Sequence, residues 1–145
     1  MMVRLSRDDR GHTDKDPCLT RDSKGTLWVA WHHYRMKEDR ILLRSLRGNR
    51  KGEILEISET PGINFQPRIA CDGQDKIWVV WSAQRKGEWC ILARSASING
   101  LSPVQKICSQ REEQAFPAIT SDQQGNIWVA WSSVSDKHRS ILGRH

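Results

Sequence analysis

Trp28-Val29-Ala30-Trp31, Trp78-Val79-Val80-Trp81 and Trp128-Val129-Ala130-Trp131 are one phrase written three times, 50 residues apart. Working outward, Asp22, Asp72 and Asp122 precede each phrase in the same register, and Pro17, Pro67 and Pro117 precede those. After each Trp pair come Ile41-Leu42, Ile91-Leu92 or Ile141-Leu142, then Arg44, Arg94 or Arg144. A fixed period of this size is the signature of a repeat architecture. The apolar pattern within a repeat alternates with period two, which is the pattern of strands and not of helices.

Each repeat reads as a first strand after the proline (Cys18-Leu19-Thr20, Arg68-Ile69-Ala70, Ala118-Ile119-Thr120) and a polar turn in which Gly25 and Gly125 can take positive φ. A second strand carries the Trp pair, and a third carries Ile-Leu-x-Arg. The fourth is Ile54-Leu55-Glu56-Ile57 or Val104-Gln105-Lys106-Ile107. Four short antiparallel strands per repeat is the arithmetic of a β-propeller blade. Within a strand, Trp28 and Trp31 point to opposite faces. A blade sandwiched between two others buries both, so the six paired tryptophans (Trp28, Trp31, Trp78, Trp81, Trp128 and Trp131) read as packing between blades.

With Pro-x-Ile-x-x-Asp-x-x-Gly-x-x-Trp-Val-Ala-Trp on the page, the repeats resemble those of bacterial sialidase-like and sensor-type β-propellers, over nearly the whole chain. The strict Asp-box of that group, Ser-x-Asp-x-Gly-x-Thr-Trp, has its Asp and Trp one residue closer than Asp122 and Trp128, and the middle repeat has Asp75 in place of Gly. Sialidases grip a carboxylate with three arginines. Arg44, Arg94 and Arg144 instead recur once per repeat on third strands, so they read as structural partners across strands. Asp22, Asp72 and Asp122 read as acceptors for the amides of the turns they precede.

The third repeat reaches Arg144-His145 without a fourth strand, while Val3-Arg4-Leu5-Ser6 reads like Leu55-Glu56-Ile57-Ser58. The expected arrangement is one propeller half over residues 1–145, with blades near 17–58, 67–108 and 117–145. Strand 2–7 of a partner chain would complete the last blade. Propellers carry roughly 4–8 blades. Two chains head to tail give a six-bladed homodimeric ring that also covers the bare strand edges.

The chain has 145 residues, 37% of them hydrophobic, enough for a core and not the composition of a disordered segment. Lys plus Arg exceed Asp plus Glu by 23 − 17, or +6, spread along the chain apart from Arg47, Arg50 and Lys51. That lean reads as a soluble face, with nucleic acid or an acidic surface ranked below other partners. No apolar run is long enough for a signal peptide or a membrane span, so the chain reads as cytoplasmic with no membrane partner. Cys18, Cys71, Cys90 and Cys108 form no CxxC pair and read as buried reduced thiols.

Residues that break the repeat are the functional candidates. The expected loops between strands two and three hold His32, His33 and Tyr34, then Arg85 and Trp89, then His138. The rim they share with the loops entering strand one adds His12, Asn64, Phe65, Arg111, Glu112 and Glu113. His32 and His33 are adjacent and diverge if extended, and no third ligand stands beside them in sequence, so neither metal nor cofactor is expected. No GxSxG, HExxH or phosphate loop is present, and no catalytic residue is assigned. The leading reading is a non-catalytic ligand-binding or interaction propeller, with carbohydrate or protein as ligand. The alternative is a sialidase-like glycoside hydrolase, which needs paired carboxylates or a Tyr–Glu pair built on Tyr34.

Overall fold

The computed structural model describes residues 2–7, 10–59, 62–108, 113–135 and 138–145. Its strands lie in three antiparallel sheets. The first is β1 (His12–Arg21), β2 (Leu27–Arg35), β3 (Glu38–Arg47) and β4 (Arg50–Glu56), in that order. The second is β5 (Asn64–Cys71), β6 (Ile77–Arg85) and β7 (Glu88–Ser97), with β8 (Gly100–Leu101) and β9 (Gln105–Lys106) both paired to β7. The third is β10 (Glu113–Ser121), β11 (Ile127–Val134) and β12 (Arg139–Arg144). Strand β5 touches both β1 and β10, so the three first strands form the inner edge from which the sheets fan out. Among the described residues no helix is long and apolar enough to cross a membrane.

The core lies between sheets. Ala30, Ile41 and Leu43 of the first sheet pack against Val79, Trp81 and Leu92 of the second. Val80, Ile91 and Ala93 on the other face of the second pack against Val129 and Trp131 of the third. The two tryptophans of the middle phrase thus serve different interfaces: Trp78 joins the cluster with the third sheet and Trp81 the cluster with the first. The expectation that all six pack between sheets fails at Trp128, which is 46% exposed and stacks on His145, because no sheet follows the third in the single chain. All four cysteines are free. The β7–β9 register sets Cys90 across from Cys108, and their shared hydrogen bond, with burial, pushes the Cys90 thiol up.

Each Asp of the repeat closes its turn and holds a tryptophan. Asp22 Oδ1 accepts from the amides of Lys24 and Thr26, and its Oδ2 accepts from Trp28 Nε1 at 3.1 Å. Asp72 and Asp122 do the same for Trp78 at 2.9 Å and Trp128 at 3.1 Å. The side-chain amide of Asn126 leads the donors that hold the Asp122 carboxyl at about 2. Its folded value lies below the ordinary ~3.9. Its stabilising contribution is therefore present above about pH 4 and is lost as pH falls toward about 2. Asp122→Asn is expected to flatten the fall of the urea midpoint across that window relative to wild type.

The turn apex at Gly25, Asp75 and Gly125 is left-handed in all three copies, with φ of 78°, 59° and 82°. Asp tolerates this conformation better than most residues. It also gains a partner there: the Asp75 carboxylate accepts from Ser23 N at 2.8 Å and Ser23 Oγ at 2.6 Å, fastening the second sheet to the first. Between the second and third sheets the fastener is backbone, Gly73 N to Gly125 O at 3.0 Å. A side chain at Gly125 would collide with the Gly73 backbone.

The arginines bind across sheets as well as within them. Arg44 Nε donates to Gly52 O at 2.8 Å, and Arg94 Nε to Ser102 O at 2.7 Å. Arg94 Nη1 reaches the Ile57 carbonyl of the preceding sheet at 3.1 Å, and Arg144 Nη1 reaches that of Ile107 at 3.2 Å. Arg44 Nη1 makes the same bond, at 2.8 Å, to Leu5 O. Leu5 also packs with Val29, Trp31, Leu42 and Ile54. The N-terminal segment thus stands where the outer strand of a preceding sheet would stand, although among its described residues 2–7 no ladder forms within one chain.

Candidate functional site

The first strands begin earlier than the proline suggests. β1, β5 and β10 run straight through Pro17, Pro67 and Pro117 by means of a bulge, at which the register with the second strand shifts. The residue before each proline is left-handed: Asp16 at φ 52°, Gln66 at 55° and Phe116 at 59°. Residues before proline are ordinarily extended, and non-glycine residues rarely take positive φ. Such strain collects where a scaffold re-aims side chains for use. The three bulges sit at the inner edge of the fan.

The expected loop at 32–37 is also strand. Only Met36-Lys37 turns, both with positive φ, and Lys86-Gly87 turns in the same way in the second sheet. Two left-handed residues make a tight hairpin whose twist matches its strands. His32 and His33 therefore lie on β2 and are buried, at 3% and 6% exposure, and not on an exposed rim loop.

The repeat acts as an internal control on the inner edge. Positions 14, 16, 32, 33 and 39 hold Asp, Asp, His, His and Asp in the first sheet. Their counterparts are Asn, Gln, Ser, Ala and Trp in the second and Gln, Phe, Ser, Ser and Arg in the third. Ionisable chemistry is thus concentrated in one sheet. Asp14 Oδ1 accepts from Trp31 Nε1 at 3.1 Å and lies 2.7 Å from His33 Nδ1. His12 Nε2 is 3.1 Å from Asp14 Oδ2. On the opposite face, His32 Nε2 lies 2.5 Å from Asp39 Oδ1, and His32 Nδ1 lies 3.9 Å from Asp16 Oδ2. One buried imidazole therefore stands between two carboxylates.

The second and third sheets enclose a different environment. A cleft of about 500 Å³ is lined by Phe65, Trp89 and Phe116, with Glu113, Ser132 and Arg139 among its polar groups. Phe65 meets Trp89 edge-on, with ring centroids 5.0 Å apart at 87°. Phe116 N donates to Ser82 Oγ at 3.0 Å, which fixes the bulge beneath the cleft.

The sequence candidates separate accordingly. Trp89, Phe65 and Glu113 come together in the cleft. Asn64 is buried, accepting from Trp81 Nε1 at 3.0 Å and Arg85 Nη2 at 2.7 Å, so Arg85 is tied to the scaffold. Tyr34 is exposed on β2, and His138 is exposed with its amide on Ser135 Oγ at 3.2 Å. Arg111 and Glu112 lie outside the described residues, as do positions 136 and 137 of the third expected loop. Sequence reasoning missed Asp14, Asp16, Asp39, Phe116 and Arg139. The signal was there in the same 50-residue register that carries the tryptophans.

No protein-family model matches the chain, and no curated protein matches it. Among solved structures it is similar to an endo-arabinase from Bacteroides thetaiotaomicron VPI-5482, with TM-score 0.60 and 16% identity over 90% of this chain and 55% of that one. It is also similar to a mannose phosphorylase from Leishmania mexicana, with TM-score 0.58 and 11% identity over 93% of this chain and 43% of that one. The chain thus spans about half the length of these proteins or less. What it has in common with them is an all-β, propeller-type fold.

Proposed function

We propose that the chain is a carbohydrate-binding module that works as a two-chain, six-bladed ring, with the Phe65–Trp89–Phe116 cleft as its ligand site. The observation that carries the binding reading is that cleft: an aromatic floor with a carboxylate, a guanidinium and a hydroxyl converging on it. Ligand sites are characteristically apolar concavities with a few placed polar groups, and aromatic rings offer sugars a flat apolar face. The fold shared with sugar-acting enzymes supports the ligand class by analogy. Arabinan and mannose oligosaccharides are accordingly the first panel to test. Trp89→Ala is expected to weaken binding by about tenfold or more, as removal of a central aromatic anchor does. Equal affinity of variant and wild type by titration calorimetry would move the site elsewhere.

Two features support the ring. Ile41 and Ile91 are fully buried at 0% by the following sheet, whereas their counterpart Ile141 is 75% exposed. Leu5, held by Arg44, occupies the place of an outer strand whose own neighbour is missing from the single chain. In the ring, that neighbour is β12 of the second copy. Ile141 and Arg139 line both the open face and the cleft, so the second copy borders the ligand site.

A second reading, a glycoside hydrolase of the sialidase-like kind, is favoured by one observation. Asp16 and Asp39 flank His32 at the inner edge, giving carboxylates that the sequence reading required but did not find. Hydrolysis of an aryl glycoside that disappears in Asp16→Asn would establish it. Absence of turnover by the wild type across arabinosides, mannosides and sialosides would leave the binding reading alone.

A further inference from the structure

We infer that His12, Asp14 and His33 form a binding site for a zinc-class divalent ion, separate from the sugar cleft. The ladder itself brings the three together. His12 and Asp14 are alternate residues of β1 and so share one face of the sheet. His33 of β2 is directly opposite Asp14 in the register. One ligand atom from each lies within 4.8 Å of the other two. His12 Nε2 and His33 Nδ1 are already 3.1 Å and 2.7 Å from the two oxygens of Asp14. Zinc bonds of about 2.0–2.2 Å to imidazole nitrogen and carboxylate oxygen need ligand atoms spread only slightly more widely than this.

The repeat separates this site from ordinary scaffold. In the second sheet Asn64 gives Trp81 the acceptor that Asp14 gives Trp31, with Gly62 and Ala83 at the positions of His12 and His33. Holding the tryptophan therefore needs neither a negative charge nor an imidazole. The first sheet has acquired a carboxylate and two imidazoles on one face, beyond what packing requires. In the metal-bound state Trp31 Nε1 remains as the outer partner that orients the carboxylate. Arg35 is opposite His12 and Arg40 opposite His33 in the ladder, and Arg7 lines the same pocket as His33. Glu38 and Glu56 hold the Arg40 guanidinium at 2.7 Å and 2.8 Å, which offsets part of that positive charge.

Two imidazoles and one carboxylate suit zinc, copper, nickel or cobalt over calcium or magnesium, which prefer all-oxygen shells. Three protein ligands leave a position open for water or a ligand oxygen.

The test is titration of chelator-treated protein with Zn²⁺, and with Co²⁺ read by its visible bands. One ion per chain is expected, with a rise in melting temperature that grows with Zn²⁺ concentration. Asp14→Asn, which keeps an acceptor for Trp31, and His12→Asn, at a mostly buried position, are each expected to weaken binding. The loss should be at least the ~10–100-fold that even outer partners of a metal site cost. Without metal, both variants should melt close to wild type. No saturable binding by the wild type would overturn the proposal. So would unchanged affinity in both variants, which would place the ion on other groups. Sugar titration of the same proteins reads the cleft independently, so the two ideas fail separately.

Discussion

Trp81→Ala is expected to remove about 3–5 kcal/mol of stability. Trp81 is fully buried between the first and second sheets, in one cluster with Ile41, Leu43 and Leu92. Truncation deletes a large apolar surface and leaves a void that rigid sheets close poorly. It also removes the Nε1 donor to Asn64 Oδ1, although Arg85 still donates to that oxygen. Single domains have about 5–15 kcal/mol in total, so a large share of the stability goes and the urea midpoint falls by more than ~1 M. Tyr34→Ala, at a residue 41% exposed, is expected to stay within ~0.5 kcal/mol of wild type. Similar midpoints for the two variants would contradict the assignment of the core to the interfaces between sheets.

Ile141→Arg is expected to convert the proposed two-chain ring into single chains without unfolding them. In one chain the side chain is 75% exposed, so the folded subunit tolerates a charge there. In the proposed ring it would take the environment of Ile41 and Ile91, both at 0% in the single chain. Burying an isoleucine contributes about 1.5–3 kcal/mol, and an unpaired guanidinium in its place costs more than that gain. A two-fold ring contains two copies of this contact, so the substitution acts twice. The dissociation constant is expected to rise by more than about a hundredfold. Sedimentation of the variant checks this; a mass unchanged from wild type at micromolar concentration would contradict the proposed interface.

The features legible in the sequence were those repeated letter for letter. Asp, its tryptophan partner and Arg recur at one register because the same bonds are made in each sheet: turn closure, an indole N–H to the Asp, and a guanidinium to the preceding outer segment, although Trp128 alone of the six is largely exposed. The inner edge was less legible because one job is done there by different letters. Asp14 and Asn64 both accept from a tryptophan, yet they do not look like a repeat. The bulges were hidden by the rule that residues before proline are extended, a rule that Asp16, Gln66 and Phe116 break together. The burial of His32 and His33 was hidden by a hairpin turn, Met36-Lys37, made without the glycine or asparagine that usually marks one. Asp75 is the reverse case. A letter that broke the pattern turned out to keep its conformation and to add a bond to Ser23.

The proposed ring would cover the open face of the third sheet, place a strand beside Leu5 and border the cleft. Light scattering on a sizing column tests it most directly. The predicted result is a native mass twice the 16.7 kDa of the chain, constant on dilution until the ring dissociates as a unit. A folded species of 16.7 kDa at every concentration, with Ile141 open to solvent, would contradict it.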